Sequence, residues 1–240
     1  MGAREDILGR ALRRRELLVA LAGIGVAGLW QAACGSGDSQ SDSSTATTST
    51  SGADAAPPDC VLTPESTEGP YYLPGQPTRR DITEGRPGEP LALQVSVVDA
   101  GSCKPIESAD VELWHADAAG VYSGVDGNDQ HFLRGHQRSD AKGRARFDTI
   151  YPGWYPGRTP HIHLKVHVGG AEVHTGQLFF DDRTSASVYR TSEYESRGEP
   201  DTTNGTDSIY AAAGAGEATV RVARRDGGGY DGRITVGVRT

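Results

Sequence analysis

The residues with the clearest chemical potential lie in one stretch of the chain, Tyr151 to His163. His161 and His163 are separated by one residue, and on a β-strand this spacing places both imidazoles on the same face. Tyr155 precedes them in a loop rich in proline and glycine, and Tyr122 is predicted to lie near a strand end. Two imidazole nitrogens and two phenolates suit a hard trivalent metal ion. Each phenolate forms only when metal binding displaces the phenol proton, whose pKa is about 10.

Alternating apolar and polar residues predict the strands that would position these side chains. The predicted strands are 91–98, 109–115, 143–150, 160–168, 172–180, 217–222 and 232–238. The chain also has 32 glycines, which fits many tight turns. Several short strands at this spacing favour an all-β fold, an antiparallel β-sandwich with long loops. Residues 185–213 are polar and ambiguous, and 201–206 are predicted to form a loop.

The N-terminus has the pattern of an export signal. Arg13–Arg15 precedes the apolar run Leu17–Leu29, which is short of the roughly 20 apolar residues that a transmembrane helix needs. The order of residues 14–18 resembles a twin-arginine signal, and an ordinary secretory signal is the alternative. Residues 31–35 resemble a lipoprotein cleavage site with lipidation at Cys34, although Gln31 stands where an aliphatic residue is usual.

These features divide the chain into three parts. Residues 1–34 are predicted to be the export signal, 35–58 a disordered Ser/Thr-rich linker, and 59–240 one folded domain. The linker cannot bury enough apolar surface to fold. A lipid on Cys34 would hold the domain at the cell surface on this tether, whereas plain signal cleavage would release it into the medium.

Cysteine usage and net charge restrict the partners of the folded domain. If Cys34 carries lipid, Cys60 and Cys103 remain, and in an exported protein such a pair is most simply a disulfide. Two free buried thiols are the alternative. The net charge is −8 and no basic cluster lies outside the signal. Nucleic acid is therefore not an expected partner.

Several segments together resemble the intradiol ring-cleaving dioxygenases, a non-haem Fe(III) family that includes the catechol and protocatechuate enzymes. The matching segments, in order, are 68–72, 111–117, 120–123, 132–135, 149–155, 157–163 and 175–178. The likeness is greatest to the secreted, single-domain members. It implies a prealbumin-like sandwich core and cleavage of a catechol-type ring between its hydroxyl-bearing carbons. The reaction would use O2 and give a muconate-type diacid.

The resemblance also implies a site. It assigns the ligands of one Fe(III) per chain to Tyr122, Tyr155, His161 and His163. The family tyrosine that matches Tyr155 is displaced when the diol binds, so it could take a diol proton. Arg158 would hold positive charge beside the carbanion-like ring carbon.

Further positions concern the second coordination layer and the substrate pocket. Gln177 matches a glutamine near the iron. Tyr71 and Tyr72 are predicted to wall the substrate pocket, with ordinary packing as the alternative. Only Pro156–Pro160 separate Tyr155 from His161, where the long-known catechol enzymes carry a longer insertion, so a more open pocket is expected. The N-terminal helical region that many catechol enzymes use to dimerise is also missing, which leaves a homodimer undecided.

Alternative assignments exist for both residues and function. Tyr151 competes with Tyr155 as a ligand, and His167 shares the predicted strand face of His163. A non-catalytic β-sandwich binding module at the cell surface is the alternative function. A zinc or copper enzyme is disfavoured, because both metals more usually take imidazole or thiolate ligands.

Overall fold

A computed structural model describes residues 61–127 and 129–240. The predicted signal and linker, with Cys34 and Cys60, lie outside the described residues. The described part is mostly β-structure. Its strands are β1 Pro90–Asp99, β2 Asp110–Trp114, β3 Arg134–Arg138, β4 Arg144–Ile150, β5 His161–Val168, β6 Ala171–Phe179, β7 Arg221–Arg224 and β8 Tyr230–Val238. Its helices are α1 Asp182–Val188 and α2 Ser208–Ala212, with a 3-10 turn at Glu195–Arg197.

The strands form two four-stranded sheets, ordered β4-β1-β8-β7 and β3-β2-β5-β6. The pairings within them are antiparallel except that β1 and β8 run parallel along their whole length. The sheets are thus rich in antiparallel pairs, as predicted, and the β1–β8 pair is the exception. A parallel pair needs a long connection between its strands, and here most of the folded chain lies between β1 and β8.

Most predicted strands are confirmed to within a few residues, and the loop at 201–206 is confirmed. Strand β3 was not predicted, because its sequence Arg-Gly-His-Gln-Arg has no apolar alternation. The prediction of a strand over 217–222 is wrong for residues 217–220, since β7 begins only at Arg221. Ala218, among those residues, is instead buried against Phe179 and Ala213.

The apolar residues of both sheets contribute to one hydrophobic cluster. Strand β5 turns Ile162, Leu164 and Val166 into this cluster, while His161 and His163 alternate with them on the opposite face. That opposite face is also buried, and residues 67–69 lie against it through contacts with Gln177, Lys165 and His163. β5 is thus enclosed on both sides, which fixes the direction of its two imidazoles.

Two sequence predictions concern membrane contact and the disulfide. Within residues 61–127 and 129–240, no helix has the length and apolar character needed to span a bilayer. Cys103 is disulfide-bonded. Its predicted partner Cys60 lies outside the described residues, so that pairing stays a prediction.

His115 links the end of β2 to β4 through two hydrogen bonds. Its Nδ1 lies 2.9 Å from the carbonyl oxygen of Ala116, and its Nε2 lies 2.8 Å from Oγ1 of Thr149. Burial disfavours the charged imidazolium and lowers the pKa of His115 to about 4. The folded protein therefore holds this imidazole neutral and uses it as a structural hydrogen-bonding group.

We expect His115 to make the fold sensitive to mild acid. Its folded pKa lies below the unfolded value of about 6.5, so the unfolded state binds more protons and stability falls as the pH drops below that value. On this account the free energy of unfolding loses roughly 2 kcal/mol between pH 7 and pH 5 through this group alone. In urea unfolding, His115→Gln should be less stable at pH 7 but show a correspondingly shallower loss toward pH 5.

The matched control is His131→Gln, because the His131 side chain is exposed. It should leave both the stability and its pH dependence close to those of the unmodified protein. A full acid-dependent loss retained in His115→Gln would contradict this assignment.

Candidate metal centre

The two imidazoles lie at the start of β5, between β2 and β6. His163 is paired across the sheet with Trp114 on one side and Gln177 on the other. The Trp114 ring stacks on the His163 imidazole, with centroids 4.9 Å apart and planes 8° from parallel. This packing fixes the plane of the imidazole.

Three potential ligand atoms converge at this point. The Tyr155 hydroxyl oxygen lies 3.0 Å from Nε2 of His161, which lies 3.2 Å from Nε2 of His163. Nδ1 of His161 lies 2.7 Å from the carbonyl oxygen of Thr159. A carbonyl only accepts, so Nδ1 carries the proton and the Nε2 lone pair faces the other two atoms. An outer hydrogen bond of this kind is typical of histidines that bind metals.

Tyr122 completes the predicted set from a separate loop. The prediction that it lies at a strand end is wrong, because β2 ends at Trp114 and the Asp117 carboxylate then organises a turn by accepting the N–H groups of Ala119 and Val121. The Tyr122 ring centroid is 5.8 Å from that of Tyr155 and 6.0 Å from that of His163. Within the described part of the chain its buried hydroxyl has no hydrogen-bond partner.

Burial keeps all four side chains neutral in the absence of a metal. It raises the pKa of Tyr122 well above its ordinary value, and the neighbouring Tyr155 raises it further. Burial likewise raises the pKa of Tyr155, although the positive charge of Arg158 opposes this. The pKa of His161 falls to about 3, mainly through burial, and that of His163 falls in the same direction. The imidazole lone pairs are therefore available at neutral pH.

The geometry of this group fits a transition-metal ion. Two ligands at a bond length near 2 Å, as imidazole nitrogens have on zinc, are about 3 Å apart when the angle between them is near 100°. The spacings among Tyr155, His161 and His163 match this value. The unpaired Tyr122 hydroxyl, whose ring packs against Tyr155 and His163, is a candidate for a further oxygen donor. The described residues contain no metal-binding group of three or more His, Cys, Asp or Glu side chains.

A charged network lies beside the ligand atoms. Arg158 donates from Nη2 to Oε1 of Gln177 at 2.5 Å and from Nε to Oδ2 of Asp207 at 2.9 Å. Gln177 in turn donates to the carbonyl oxygen of Thr67 at 2.9 Å. The structure thus brings the predicted Arg158 and Gln177 together next to Tyr155, with the guanidinium fixed at two of its nitrogens.

The two candidate pocket residues, Tyr71 and Tyr72, have different surroundings. The Tyr71 ring stacks on Tyr122 with centroids 4.4 Å apart, so it lies against the ligand group. Tyr72 turns away, because its hydroxyl donates to Glu112 at 3.3 Å and its ring packs on Trp114. Their predicted substrate roles stay predictions.

The competing ligands lie elsewhere. Tyr151 is fully buried in the main hydrophobic cluster, and its hydroxyl is 2.8 Å from that of Ser185. His167 is near the far end of β5, opposite Asp110. Neither is part of the group formed by Tyr122, Tyr155, His161 and His163.

Three residues around the site were not predicted. Asp207 holds Arg158, and its one sequence signal is an acidic residue just before a helix. Arg134 is almost fully buried and donates to the carbonyl oxygens of Ser123 and Tyr71, which anchors the segments carrying Tyr122 and Tyr71. Gly69 lies directly against His163. Arg134 and Gly69 lie within the family-like segments 132–135 and 68–72, which was the one signal for them, whereas Asp207 lies outside every such segment.

The segment that carries the candidate ligands matches a known sequence family. A family model described as "Dioxygenase" matches residues 67–187. A catechol 1,2-dioxygenase from Acinetobacter baylyi is 38% identical over 142 residues, which cover 48% of this chain and 45% of that protein. A protocatechuate 3,4-dioxygenase beta chain from Burkholderia cepacia is 40% identical over 105 residues, covering 37% and 43%. The chain spans about half the length of the curated relatives it matches.

Solved structures extend the similarity to most of the folded part. An intradiol ring-cleavage dioxygenase from Tetranychus urticae is 32% identical, with a TM-score of 0.72, and the match covers 75% of this chain and 95% of that one. The dioxygenase domain of a dioxygenase carbohydrate-binding protein fusion from Streptomyces sp. SirexAA-E is 32% identical, with a TM-score of 0.57 and coverage of 75% and 99%.

We expect Gly69→Ala to disturb the candidate metal centre through His163. Gly69 has a φ of 75°, and a methyl group there would lie 2.9 Å from Cε1 of His163. The left-handed backbone should cost about 1 kcal/mol of stability, and the clash should also displace the imidazole. Displacing a supporting contact of a metal ligand typically lowers metal affinity by about 10–100-fold. Urea unfolding and a competition titration with an iron chelator measure the two effects.

Gly75→Ala is a closely matched control. Gly75 has a φ of 76°, but a methyl group there would have no atom within 4 Å. It should show the same backbone cost without a loss of iron affinity. Equal iron affinities in the two variants would contradict the contact between Gly69 and His163 as a determinant of the site.

Proposed function

The chain belongs to the intradiol ring-cleaving dioxygenase family, and from this premise we propose that it is a non-haem Fe(III) dioxygenase. It would cleave a catechol-type ring between the two hydroxyl-bearing carbons and incorporate both atoms of O2 into a muconate-type diacid. One observation carries the proposal: the Tyr155 oxygen and the Nε2 atoms of His161 and His163 converge beside a buried, unpaired Tyr122 hydroxyl.

The four side chains would hold one Fe(III) per chain. When bound, ferric iron would supply the redox chemistry that lets a chelated aromatic diol react with O2. The protein contributes two neutral imidazoles and two hard phenolate oxygens, with no thiolate or carboxylate in the group. This composition supports iron over zinc or copper, which more usually take imidazole or thiolate ligands.

The two tyrosines are placed for different tasks. Tyr122 is buried and packed between Tyr71, Tyr155 and His163, so it is suited to remain in place. Tyr155 is only partly buried and lies in the loop between β4 and β5. It is therefore better able to move aside for an incoming diol. Its phenolate oxygen could then accept a proton from a substrate hydroxyl.

Arg158 would stabilise the negative charge that develops on the substrate ring. Its guanidinium is held by Gln177 and Asp207, and only 14% of the side chain is exposed. A fixed positive charge in a water-poor site does not need to reorganise when charge develops, and such groups are worth several kcal/mol. Gln177 would act by keeping the guanidinium directed toward Tyr155.

Tyr71 would form one wall of the substrate pocket. Its ring stacks on Tyr122 and meets Tyr155 edge to face at 6.3 Å. An aromatic diol that replaces Tyr155 would therefore meet the Tyr71 ring. Tyr72 has weaker support for the same role, because its hydroxyl and ring are taken by Glu112 and Trp114.

The finer fold and the location are also proposals. We infer that the two sheets stack as a sandwich, which the hydrophobic cluster shared by both sheets supports. We propose that the domain works outside the cytoplasm after twin-arginine export, either on a lipid-anchored Cys34 tether or released. The signal-like and linker-like sequences support this proposal, and small diols and O2 reach such a domain by diffusion.

The proposed function predicts a coloured, oxygen-consuming protein. Loaded with ferric iron, the purified protein should be burgundy, because tyrosinate ligands transfer charge to ferric iron. It should bind one iron per chain and consume O2 with at least one member of a panel of substituted catechols. With ¹⁸O₂, mass spectrometry should find both labelled atoms in the diacid product.

Variants on one strand test the ligand assignment. His163→Ala should lose the iron and the colour, whereas His167→Ala, on the same strand but near its far end, should keep both. Tyr122→Phe should shift or abolish the visible band. A colourless protein with one iron per chain would overturn the tyrosinate assignment. A protein that takes up neither iron nor O2 would instead support a non-catalytic binding module.

A further inference from the structure

The Asp207 carboxylate joins two separate parts of the structure, the loop before β5 and the start of α2. Its Oδ2 accepts hydrogen bonds from Nε of Arg158 at 2.9 Å and from the backbone N–H of Thr159 at 3.0 Å. Its Oδ1 accepts from the backbone N–H groups of Ile209 at 2.7 Å and Tyr210 at 3.2 Å, at the start of α2. Each oxygen therefore has its own pair of donors.

Asp207 is buried as an ion rather than as a neutral acid. Its side chain is only 1% exposed. Burial alone raises the pKa of Asp207, but the bonds from Thr159 and Arg158 outweigh it and leave the pKa below its usual value. A buried carboxylate that accepts four donors is a strong and directional anchor. Neither the signature segments nor the spacing of the ligands indicated it.

The position of Arg158 depends on two partners of different strength. Gln177 is a neutral amide that reaches one terminal nitrogen, whereas Asp207 is an ion that reaches Nε. An arginine side chain has several rotatable bonds, and a single contact to its terminal nitrogen leaves most of them free. The Nε contact is nearer the backbone and sets the plane of the guanidinium.

The same carboxylate also acts on the first histidine. Thr159 donates its N–H to Asp207 and accepts from Nδ1 of His161 at 2.7 Å through its carbonyl oxygen. The Thr159 hydroxyl donates to Oδ1 of Asn204 at 2.8 Å, which fixes the residue further. Asp207 thereby holds the residue whose carbonyl oxygen sets the tautomer of His161.

We propose that Asp207 is a positioning residue for ring cleavage, which orients the Arg158 guanidinium toward the substrate and supports His161 through Thr159. This inference rests on the proposed function. Asp207 does not touch the substrate in this scheme and acts only through Arg158 and Thr159. Ring cleavage would thus depend on a carboxylate that lies 49 residues after Arg158 in the sequence.

Asp207 also caps α2, so its variants must separate capping from positioning. Serine is an effective N-cap residue but is too short to reach Arg158, so Asp207→Ser should keep the helix cap and lose the contact. Asp207→Asn keeps one oxygen for the cap and removes the charge. Asp207→Glu keeps the charge on a longer side chain. Asp201→Asn is the control, because Asp201 accepts from Gly157 in the same region and is exposed.

Asp207→Ser and Asp207→Asn should lower kcat without raising KM. Losing the carboxylate leaves the Arg158 charge uncompensated, which favours binding of an anionic diol, so KM should be unchanged or lower. The freed guanidinium is no longer preorganised, so kcat per bound iron should fall about 10–100-fold, in the range found for loss of one fixed electrostatic donor or its support. Asp207→Glu should recover part of kcat, and Asp201→Asn should retain all of it.

A second readout needs neither iron nor turnover. The Nε–H group of Arg158 should give a ¹H–¹⁵N signal protected from solvent exchange, assigned by its loss in Arg158→Lys. The protection should disappear in Asp207→Ser and persist in Asp201→Asn.

A third readout uses the iron-loaded protein without turnover. The binding of 4-nitrocatechol to iron-loaded Asp207→Ser and Asp207→Asn, followed by its visible spectrum, should be as tight as or tighter than its binding to the unmodified protein.

The outcomes distinguish the positioning role from the proposed function. A kcat per iron in Asp207→Ser and Asp207→Asn equal to that of Asp201→Asn would overturn the positioning role while the proposed function stands. A loss of activity explained wholly by a lowered melting temperature would also overturn it, and one explained wholly by lost iron would overturn the orientation of Arg158 and leave only the support of His161. If the unmodified protein cleaves no diol but Arg158 loses its protection in Asp207→Ser, the proposed function fails and the contact stands.

Discussion

The enclosure of β5 on both of its faces is the constraint on which the rest of the structure depends. One face gives Ile162, Leu164 and Val166 to the hydrophobic cluster, which fixes the strand in register. The other face carries the imidazoles and is covered in part by residues 67–69. His161 and His163 are therefore desolvated and neutral, and their lone pairs meet in a confined space.

The covering segment is held by β5 and its neighbour β6. Lys165, next on the imidazole face of β5, forms an ion pair with Glu68 at 2.6 Å, and Gln177 of β6 donates a hydrogen bond to the carbonyl oxygen of Thr67. A glycine at position 69 then allows the backbone to approach His163 closely. The polar residues of this face therefore have two functions, since they supply the site and attach its cover.

The positive charges of Arg134 and Arg158 beside the site are suited to anions that the protein alone does not provide. Arg134 is almost fully buried, yet its hydrogen bonds to Ser123 and Tyr71 are all to uncharged oxygens. Arg158 has its own carboxylate in Asp207, but both arginines lower the pKa of Tyr122 against the larger effect of burial. A tyrosinate on a bound cation and an anionic diol would each complete this arrangement. The polar network is thus consistent with the proposed chemistry.

The sequence by itself determined what depends on local order. Period-two alternation predicted β5 and the shared face of His161 and His163, and the segments around Tyr122, Tyr155 and Arg158 indicated the family. Only the tertiary structure decided that β8 pairs parallel to β1, that Tyr72 turns away, and that Asp207 holds Arg158. The physical reason is that side-chain direction repeats along a strand, whereas contacts between distant segments depend on how loops close and leave no periodic pattern in the sequence.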